Sequence, residues 1–211
     1  LKLQYAMDLC GVEAAVDTLR MLGDAVDIAE VGTPMLLKFG LDAVRRVRAA
    51  FPALTLLADA KIIDAGELEA ALAFDAGADI VTVMGTTNES TIRGVIDCAR
   101  GRGKKSFIDT MCVEPIEEAC GRYAAWGADY ICIHNATDLL DIDATLALAK
   151  RALTAIEPER LVIAGGVNER TAHKLQAYAP GIVVVGSAIA KSADPRATAL
   201  RLRDLAAGSG I

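Results

Sequence analysis

The sequence predicts a single α/β domain folded as a (β/α)8 barrel, and three observations predict it. Short apolar or β-branched runs alternate with longer amphipathic ones at a spacing of roughly two dozen residues, making eight units. Strands alternating with helices imply a parallel sheet with right-handed crossovers, and eight such units close without a leftover edge; an open doubly wound sheet is the alternative. Gly77-Ala-Asp-Ile-Val-Thr-Val and Gly127-Ala-Asp-Tyr-Ile-Cys-Ile repeat one helix-stop, strand-start wording two units apart, as a quasi-repetitive barrel would. No linker or low-complexity segment interrupts the 211 residues, a length at which one barrel-type domain is normal.

In order, the expected strands are Leu3 to Met7, Ile28 to Val31, Leu54 to Ala58, Ile80 to Val83, Ser106 to Ile108, Tyr130 to Ile133, Leu161 to Ala164 and Ile182 to Val185. Each is an apolar run too short for a helix. After them come helical patterns near Val12 to Leu22, Leu36 to Ala50, Glu67 to Ala76, Ser90 to Arg102, Pro115 to Trp126, Ala144 to Ile156, Glu169 to Ala179 and Pro195 to Ala207. Gly and Pro punctuate the turns singly, and only the tail Ala207-Gly-Ser-Gly210 reads as frayed.

Composition bounds the function. A hydrophobic content of 53% supplies a sizeable core, and the net charge of −6 arises without long blocks of either sign. No basic stripe with interleaved aromatics appears, so a nucleic-acid partner is not expected. No apolar run approaches the ~20 residues of a membrane helix, so no membrane partner is expected. The start, Leu-Lys-Leu-Gln-Tyr-Ala-Met-Asp, reads as a strand rather than a signal peptide, so the expected location is cytoplasmic. Cys10, Cys98, Cys112, Cys120 and Cys132 are odd in number and lack C-x-x-C spacing, which fits reduced thiols and argues against zinc. Positive mean hydropathy predicts apolar surface covered by a second copy, a homodimer.

The chain is organised around Leu56 to Gly66, Leu-Leu-Ala-Asp-Ala-Lys-Ile-Ile-Asp-Ala-Gly. It begins like a buried parallel strand and sets Asp59, Lys61 and Asp64 where the apolar run gives out. Alternation points Asp59 and Lys61 to one side, and Asp64 joins them if the chain turns at Ala65-Gly66. Two carboxylates around one ammonium keep it charged, beside oxygens able to hold a metal or handle protons. A salt bridge at the start of a loop would use the same residues, and this stretch alone does not separate the two.

In barrels of this class the catalytic groups sit at the C-terminal ends of strands. Asp8 ends the first strand, Glu30 the second, Asp59 with Lys61 the third, Asp109 the fifth and His134 the sixth. The fourth, seventh and eighth end in Gly85, Gly165-Gly166 and Gly186-Ser187. Several acids around one lysine imply a missing cation. Oxygen ligands without a histidine or cysteine cluster favour Mg2+ over zinc, held by one or two carboxylates with water and substrate oxygens. For any single acid, capping a neighbouring helix is the alternative. The glycine turns let backbone N–H groups approach an anion, with the Ser187 hydroxyl in support, the usual phosphate seat of such barrels. Ala-Gly-Gly-Val taken singly is equally a tight turn. His134 is a candidate acid/base because imidazole titrates near neutrality, or else a hydrogen-bonded core residue. His173, in a polar helical stretch, is assigned no role.

These residues resemble the orotidine 5′-phosphate decarboxylase suprafamily, whose signature Asp-x-Lys-x-x-Asp stands here as Asp59-Ala-Lys61-Ile-Ile-Asp64. The likeness covers nearly the whole chain. Within the suprafamily the wording looks most like the 3-hexulose-6-phosphate synthase group, in Lys2-Leu-Gln-Tyr-Ala-Met-Asp8, Val26-Asp-Ile-Ala-Glu30-Val-Gly-Thr-Pro34, Gly77-Ala-Asp-Ile-Val-Thr-Val-Met-Gly85, Ala164-Gly-Gly166 and Val185-Gly-Ser-Ala-Ile189. The sister 3-keto-L-gulonate 6-phosphate decarboxylases carry an arginine three positions after the strand-six histidine, where this chain has Thr137.

The resemblance implies a metal-dependent aldol reaction: ribulose 5-phosphate plus formaldehyde giving a 3-hexulose 6-phosphate, and the reverse. It implies a cis-enediolate bound to Mg2+ alongside the metal ligands Glu30 and Asp59. By the same resemblance His134 removes the C1 proton, while Asp8 and Lys61 hold sugar hydroxyls and adjust protons. Gly165, Gly166, Gly186 and Ser187 seat the phosphate, Asp109 is among the substrate-binding groups, and Asp64 acts in the neighbouring subunit's site. Three departures bear on substrate preference and turnover: Asn135-Ala136 where the synthases show a small residue then glycine, a short connection from Leu139 to Asp143, and Asn88 where aspartate is frequent. The competing readings are the sister decarboxylase and a barrel that binds a sugar phosphate without turnover. A pure binder needs the phosphate seat but not Asp59, Lys61, Asp64 and His134 together.

Overall fold

Eight parallel strands pair in chain order, and the first closes on the last, so the sheet has no edge. The computed structural model describes residues 1–8, 11–136, 138–139 and 141–208; Cys10, Thr137 and the tail residues Ser209 and Gly210 lie outside them. The strands are β1 (Lys2–Met7), β2 (Ile28–Val31), β3 (Thr55–Ile62), β4 (Ile80–Met84), β5 (Lys105–Asp109), β6 (Tyr130–His134), β7 (Leu161–Ala164) and β8 (Ile182–Val185). The α-helices are α1 (Val12–Leu22), α2 (Thr33–Phe39), α3 (Asp42–Ala50), α4 (Gly66–Asp75), α5 (Glu89–Gly101), α6 (Ile116–Trp126), α7 (Ile142–Ala152), α8 (Ser187–Ala190) and α9 (Pro195–Ala207). The expected (β/α)8 barrel is the observed fold.

Strand alternation puts the site where it is. Ile28, Leu57, Ile80, Phe107, Cys132, Val162, Ala164 and Ile182 form an apolar plug inside the barrel. Side chains return to one face every second residue, so the next inward positions toward the C-terminal mouth are Glu30 on β2, Asp59 on β3, Thr82 on β4, Asp109 on β5 and His134 on β6. A polar layer therefore stands directly on an apolar floor. On β1 the same count aligns Gln4, Ala6 and Asp8, with Gln4 level with Ile28 and Ala6 level with Glu30. The outward strand faces, including Tyr5, Met7, Val31, Val81 and Ile131, pack with the helices in a second continuous core.

At the opposite end the repeated Gly-Ala-Asp wording has a structural use. Asp79 before β4 accepts the Leu56 N–H at 3.0 Å, and Asp129 before β6 accepts the Ser106 N–H at 2.9 Å. Asp27 before β2 takes the Leu3 N–H in the same way at 2.8 Å. Each aspartate thus ties the start of one strand to the start of the next, through a charge-assisted bond. Arg48 with Lys104, Lys105 and Arg203 pair with these three carboxylates from the surface.

Several elements differ from expectation. The helix expected over Leu36 to Ala50 starts earlier and is two helices, because Gly40 at φ 60° turns the chain and its N–H closes α2 on Leu36 O. The helix expected over Glu169 to Ala179 is a 3-10 segment, Ala172–Tyr178. Just before it Asn168 Nδ2 and Thr171 Oγ1 donate to Gly166 O at 3.1 and 3.0 Å, local bonds that compete with α-helical ones. β3 does not end at Ala58 but runs to Ile62, with its register against β4 shifting between those two residues. Cys98, Cys112, Cys120 and Cys132 are free thiols, and no helix among the described residues is long and apolar enough to cross a membrane.

Candidate active site

The irregularity in β3 aims the signature lysine. Lys61 adopts φ 46°, and its backbone N–H donates to Thr82 Oγ1 at 2.8 Å. A left-handed non-glycine residue costs on the order of 1 kcal/mol and persists where its surroundings fix it. Here they do. Lys61 Nζ lies 2.6 Å from Asp109 Oδ2 and 3.3 Å from Asp59 Oδ1. Burial opposes its charge, but the Asp59 and Asp109 carboxylates outweigh burial, and its pKa is raised. An ammonium has three donors, so one N–H remains beyond these two contacts.

Asp109 joins lysine to histidine. Its Oδ2 also meets His134 Nδ1 at 3.0 Å, and its Oδ1 accepts the Met111 N–H at 2.9 Å. Burial would push this carboxyl up, since the residue is only 2% exposed, but the His134 hydrogen bond and the Lys61 charge overcome it and hold the pKa at about 2. With Nδ1 turned to a carboxylate, Nε2 is the remaining nitrogen of His134, the arrangement of an oriented base. Asp109, expected among the substrate-binding groups, has its two oxygens engaged by Lys61, His134 and the Met111 N–H. It holds two other site residues in place.

The remaining acids are also held. Asp59 Oδ2 accepts from Thr33 Oγ1 at 2.7 Å, and its Oδ1 from Thr82 Oγ1 at 2.9 Å. Glu30 Oε2 accepts from Gln4 Nε2 at 2.6 Å. Burial and the neighbouring Asp59 charge push the Glu30 carboxyl up to about 8, and burial followed by Asp59 raises Asp8 as well. Asp8 occupies the space beside Gly32 that any Cβ there would fill, and a Cβ on Gly186 would come within 3.4 Å of Asp8 Oδ2. The Asp8 carboxylate therefore sits between the turn after β2 and the turn after β8.

The glycine turn after β7 borders the same space. Gly165 and Gly166 take φ 89° and 74°, and a Cβ on Gly165 would lie 3.1 Å from Asn135 O and 3.5 Å from His134 Cδ2. One turn thus touches the histidine and the other the first aspartate. Ser187 is exposed at the start of α8, where the Ile189 and Ala190 N–H groups both donate back to Gly186 O at 3.1 Å.

Of the sequence-predicted residues, Asp8, Glu30, Asp59, Lys61, Asp109 and His134 share one mouth with Gly165, Gly166, Gly186 and Ser187. Asp64 does not join Asp59 and Lys61: it is exposed on the turn, where its Oδ1 accepts the Ala65 N–H at 2.7 Å. The chain does turn at the next residue, where Ala65 is left-handed at φ 49°. Gln4, Thr33 and Thr82 were not singled out from sequence, yet they grip the two acids. For Gln4 and Thr82 the available signal was polarity at an inward-facing strand position. Of the departures, Asn88 caps α5 by accepting the Thr91 N–H at 2.9 Å, and Asn135 donates to Thr145 Oγ1 at 3.1 Å, tying the chain after β6 to α7.

The donor set fits a hard divalent cation. Glu30 and Asp59 are buried carboxyl groups in a mouth whose nearest ammonium is already shared with Asp109. Among the described residues no group of three or more His, Cys, Asp or Glu side chains is arranged to hold a metal ion, so a cation here would rest on two carboxylates. An open pair of carboxylates suits an ion that keeps water and takes substrate oxygens.

Fold and mouth together define a β/α barrel of the enzyme kind, with its ionisable groups at the C-terminal ends of the strands. A family model, Orotidine 5'-phosphate decarboxylase / HUMPS family, matches residues 1–202, and the chain belongs to that family. The 3-hexulose-6-phosphate synthase of Bacillus subtilis (strain 168) is 36% identical over 209 residues, covering 97% of this chain and 98% of the relative. That of Mycobacterium gastri is 36% identical over 208 residues, covering 96% and 98%. Among solved structures, 3-hexulose-6-phosphate synthase from Salmonella typhimurium matches with a TM-score of 0.90 at 34% identity over 100% of both chains. The 3-keto-L-gulonate-6-phosphate decarboxylase from Vibrio cholerae O1 biovar El Tor str. N16961 gives 0.84 at 24% identity, covering 97% and 96%, a likeness of fold alone.

Proposed function

We propose that the chain is an aldehyde-lyase of the 3-hexulose-6-phosphate synthase type, joining formaldehyde to ribulose 5-phosphate and cleaving the 3-hexulose 6-phosphate in reverse. The observation that carries this reading is end-to-end similarity to the synthases, in a chain that keeps Lys61, Asp109 and His134 in contact at the barrel mouth. Glu30 and Asp59 would hold Mg2+, which when bound supplies Lewis-acid stabilisation of negative charge on substrate oxygens.

His134 Nε2 takes the C1 proton of ribulose 5-phosphate, while Asp109 holds the Nδ1–H and stabilises the imidazolium that forms. The electron pair left behind is shared over the C1–C2 enediolate. Lys61, pinned by Asp59 and Asp109, aims its remaining N–H at the oxygen that gains charge, an interaction stronger in the transition state than before it. C1 then attacks the formaldehyde carbon. The new alkoxide takes the proton back from His134, so the proton count closes within one residue. Asp8 accepts from a sugar hydroxyl, and the N–H groups of Gly165, Gly166, Gly186 and Ser187 anchor the phosphate.

Large apolar side chains at Leu37 (84% exposed), Ile63 (61%) and Leu68 (63%) on α2 and around the start of α4 support a second copy covering this face. Asp64, next to Ile63 and exposed, would then act in the neighbour's mouth. The cytoplasm is the compartment we assign. The test is formaldehyde consumption with and without ribulose 5-phosphate and Mg2+. Dependence on both supports the proposal. Release of CO2 from a 3-keto-L-gulonate phosphate without aldol activity would assign the sister reaction, and sugar-phosphate binding without turnover would leave a binding barrel.

A further inference from the structure

Gln4 lies inside the barrel on β1, level with Ile28 of the apolar plug and only 1% exposed. A primary amide at that depth costs stability unless both its ends find partners. Only one end does. Nε2 donates to Glu30 Oε2 at 2.6 Å, while Oε1 is buried with no hydrogen-bond partner, one of two such side-chain atoms among the described residues. Since the neighbouring plug is apolar, a methionine or leucine would fill this position without leaving that orphaned acceptor. The bond to Glu30 is what distinguishes the amide from them.

That bond has a directional consequence. It engages Oε2, fixes the rotamer of the Glu30 side chain and leaves Oε1 uncommitted by this bond. Thr33 and Thr82 restrain Asp59 in the same manner, one hydroxyl on each oxygen. Without such restraints each side chain would sample other rotamers, and ion binding would have to order them. We infer that Gln4 is a positioning residue for the cation, holding Glu30 through Oε2 so that Oε1 is presented for coordination. The inference rests on the reading that Glu30 and Asp59 hold Mg2+, and it adds a residue that touches neither ion nor sugar.

The experiment is a Mn2+ titration followed by electron paramagnetic resonance on the full chain, comparing wild type, Gln4→Met, Gln4→Asn, Glu30→Gln and the Gln4→Met/Glu30→Gln double variant. Orienting partners of metal ligands are worth about tenfold to a hundredfold in affinity, so Gln4→Met should weaken Mn2+ by that factor. Its melting temperature in EDTA and its affinity for inorganic phosphate should match wild type, which a merely structural role would not allow. Gln4→Asn, polar but one methylene too short to reach Glu30, should weaken Mn2+ similarly, and it carries the comparison if Gln4→Met does not fold. In the Glu30→Gln background Gln4→Met should add less than about twofold, because it acts through that carboxylate. Loss of Mn2+ in Glu30→Gln with wild-type affinity in Gln4→Met would overturn this inference alone. A wild type that binds no Mn2+, or Glu30→Gln binding it as well as wild type, would overturn the metal reading and this inference with it.

Discussion

Replacing Asp109 with asparagine isolates the contact on which the histidine and the lysine both lean. The side chain keeps its shape and loses its charge, so Lys61 retains only Asp59, at 3.3 Å, and His134 Nδ1 faces a neutral amide. The native carboxyl is lowered from an ordinary 3.8 to about 2, which corresponds to about 2–3 kcal/mol of folded-state stability at neutral pH. A depressed carboxylate contributes fully above its unfolded pKa and loses that contribution as pH falls through the folded one, here between about 4 and about 2. Roughly 1 kcal/mol of the difference between wild type and Asp109→Asn should therefore be gone by pH 3, and most of it present at pH 7.

Urea unfolding of both proteins at pH 7, 4 and 3 reads this directly. The stability gap should narrow toward acid, and at pH 7 turnover of the variant should fall by about a hundredfold to ten-thousandfold, because the imidazole loses its orienting anion. A stability gap that stays constant from pH 7 to pH 3 would refute the assignment of the low pKa to Asp109. Unchanged turnover would refute its role in holding His134.

Other perturbations separate the remaining parts. Lys61→Ala should lower turnover by orders of magnitude while inorganic phosphate binds within about threefold of wild type, since charge stabilisation is lost and the anion seat is not; equal loss of phosphate affinity by calorimetry would place the lysine elsewhere. Gly32→Ala puts a methyl group where the Asp8 carboxylate lies and should cut kcat about a hundredfold with a normal melting temperature, as misplacement of a positioned group does; full activity would remove Asp8 from the mechanism. Mixed subunits of Asp64→Asn and His134→Gln should regain activity that neither variant has alone, because the proposed dimer would rebuild one intact mouth across its interface; no recovery would confine Asp64 to a structural turn.

Much of this was legible in the chain because strand periodicity and barrel closure leave little freedom. Once β2, β3, β5 and β6 are placed, the positions of Glu30, Asp59, Asp109 and His134 at one mouth follow from which residue comes after each apolar run. What did not follow was which partner each side chain takes. The shift in β3 that swings Lys61 across to Asp109, 48 residues away in sequence, depends on Thr82 receiving its N–H, a tertiary event with no local signal. Asp109 looked like one more acid among several, and only its bonds to lysine and histidine show it as a pivot. The break at Gly40 was readable in principle, since glycine ends helices, but the amphipathic pattern continues across it and masked the stop. Gln4 hid in an apolar strand, where a single polar residue on the inward face was the only clue.

The most direct test of the central claim, that the mouth built by His134, Asp109 and Lys61 generates an enediolate from a sugar phosphate, is proton exchange at C1. Ribulose 5-phosphate incubated with the protein and Mg2+ in D2O, without formaldehyde, should take deuterium stereospecifically at C1 by NMR, and His134→Gln should not support exchange. Formaldehyde consumption by wild type with no deuterium entering C1, or undiminished exchange in His134→Gln, would contradict the account.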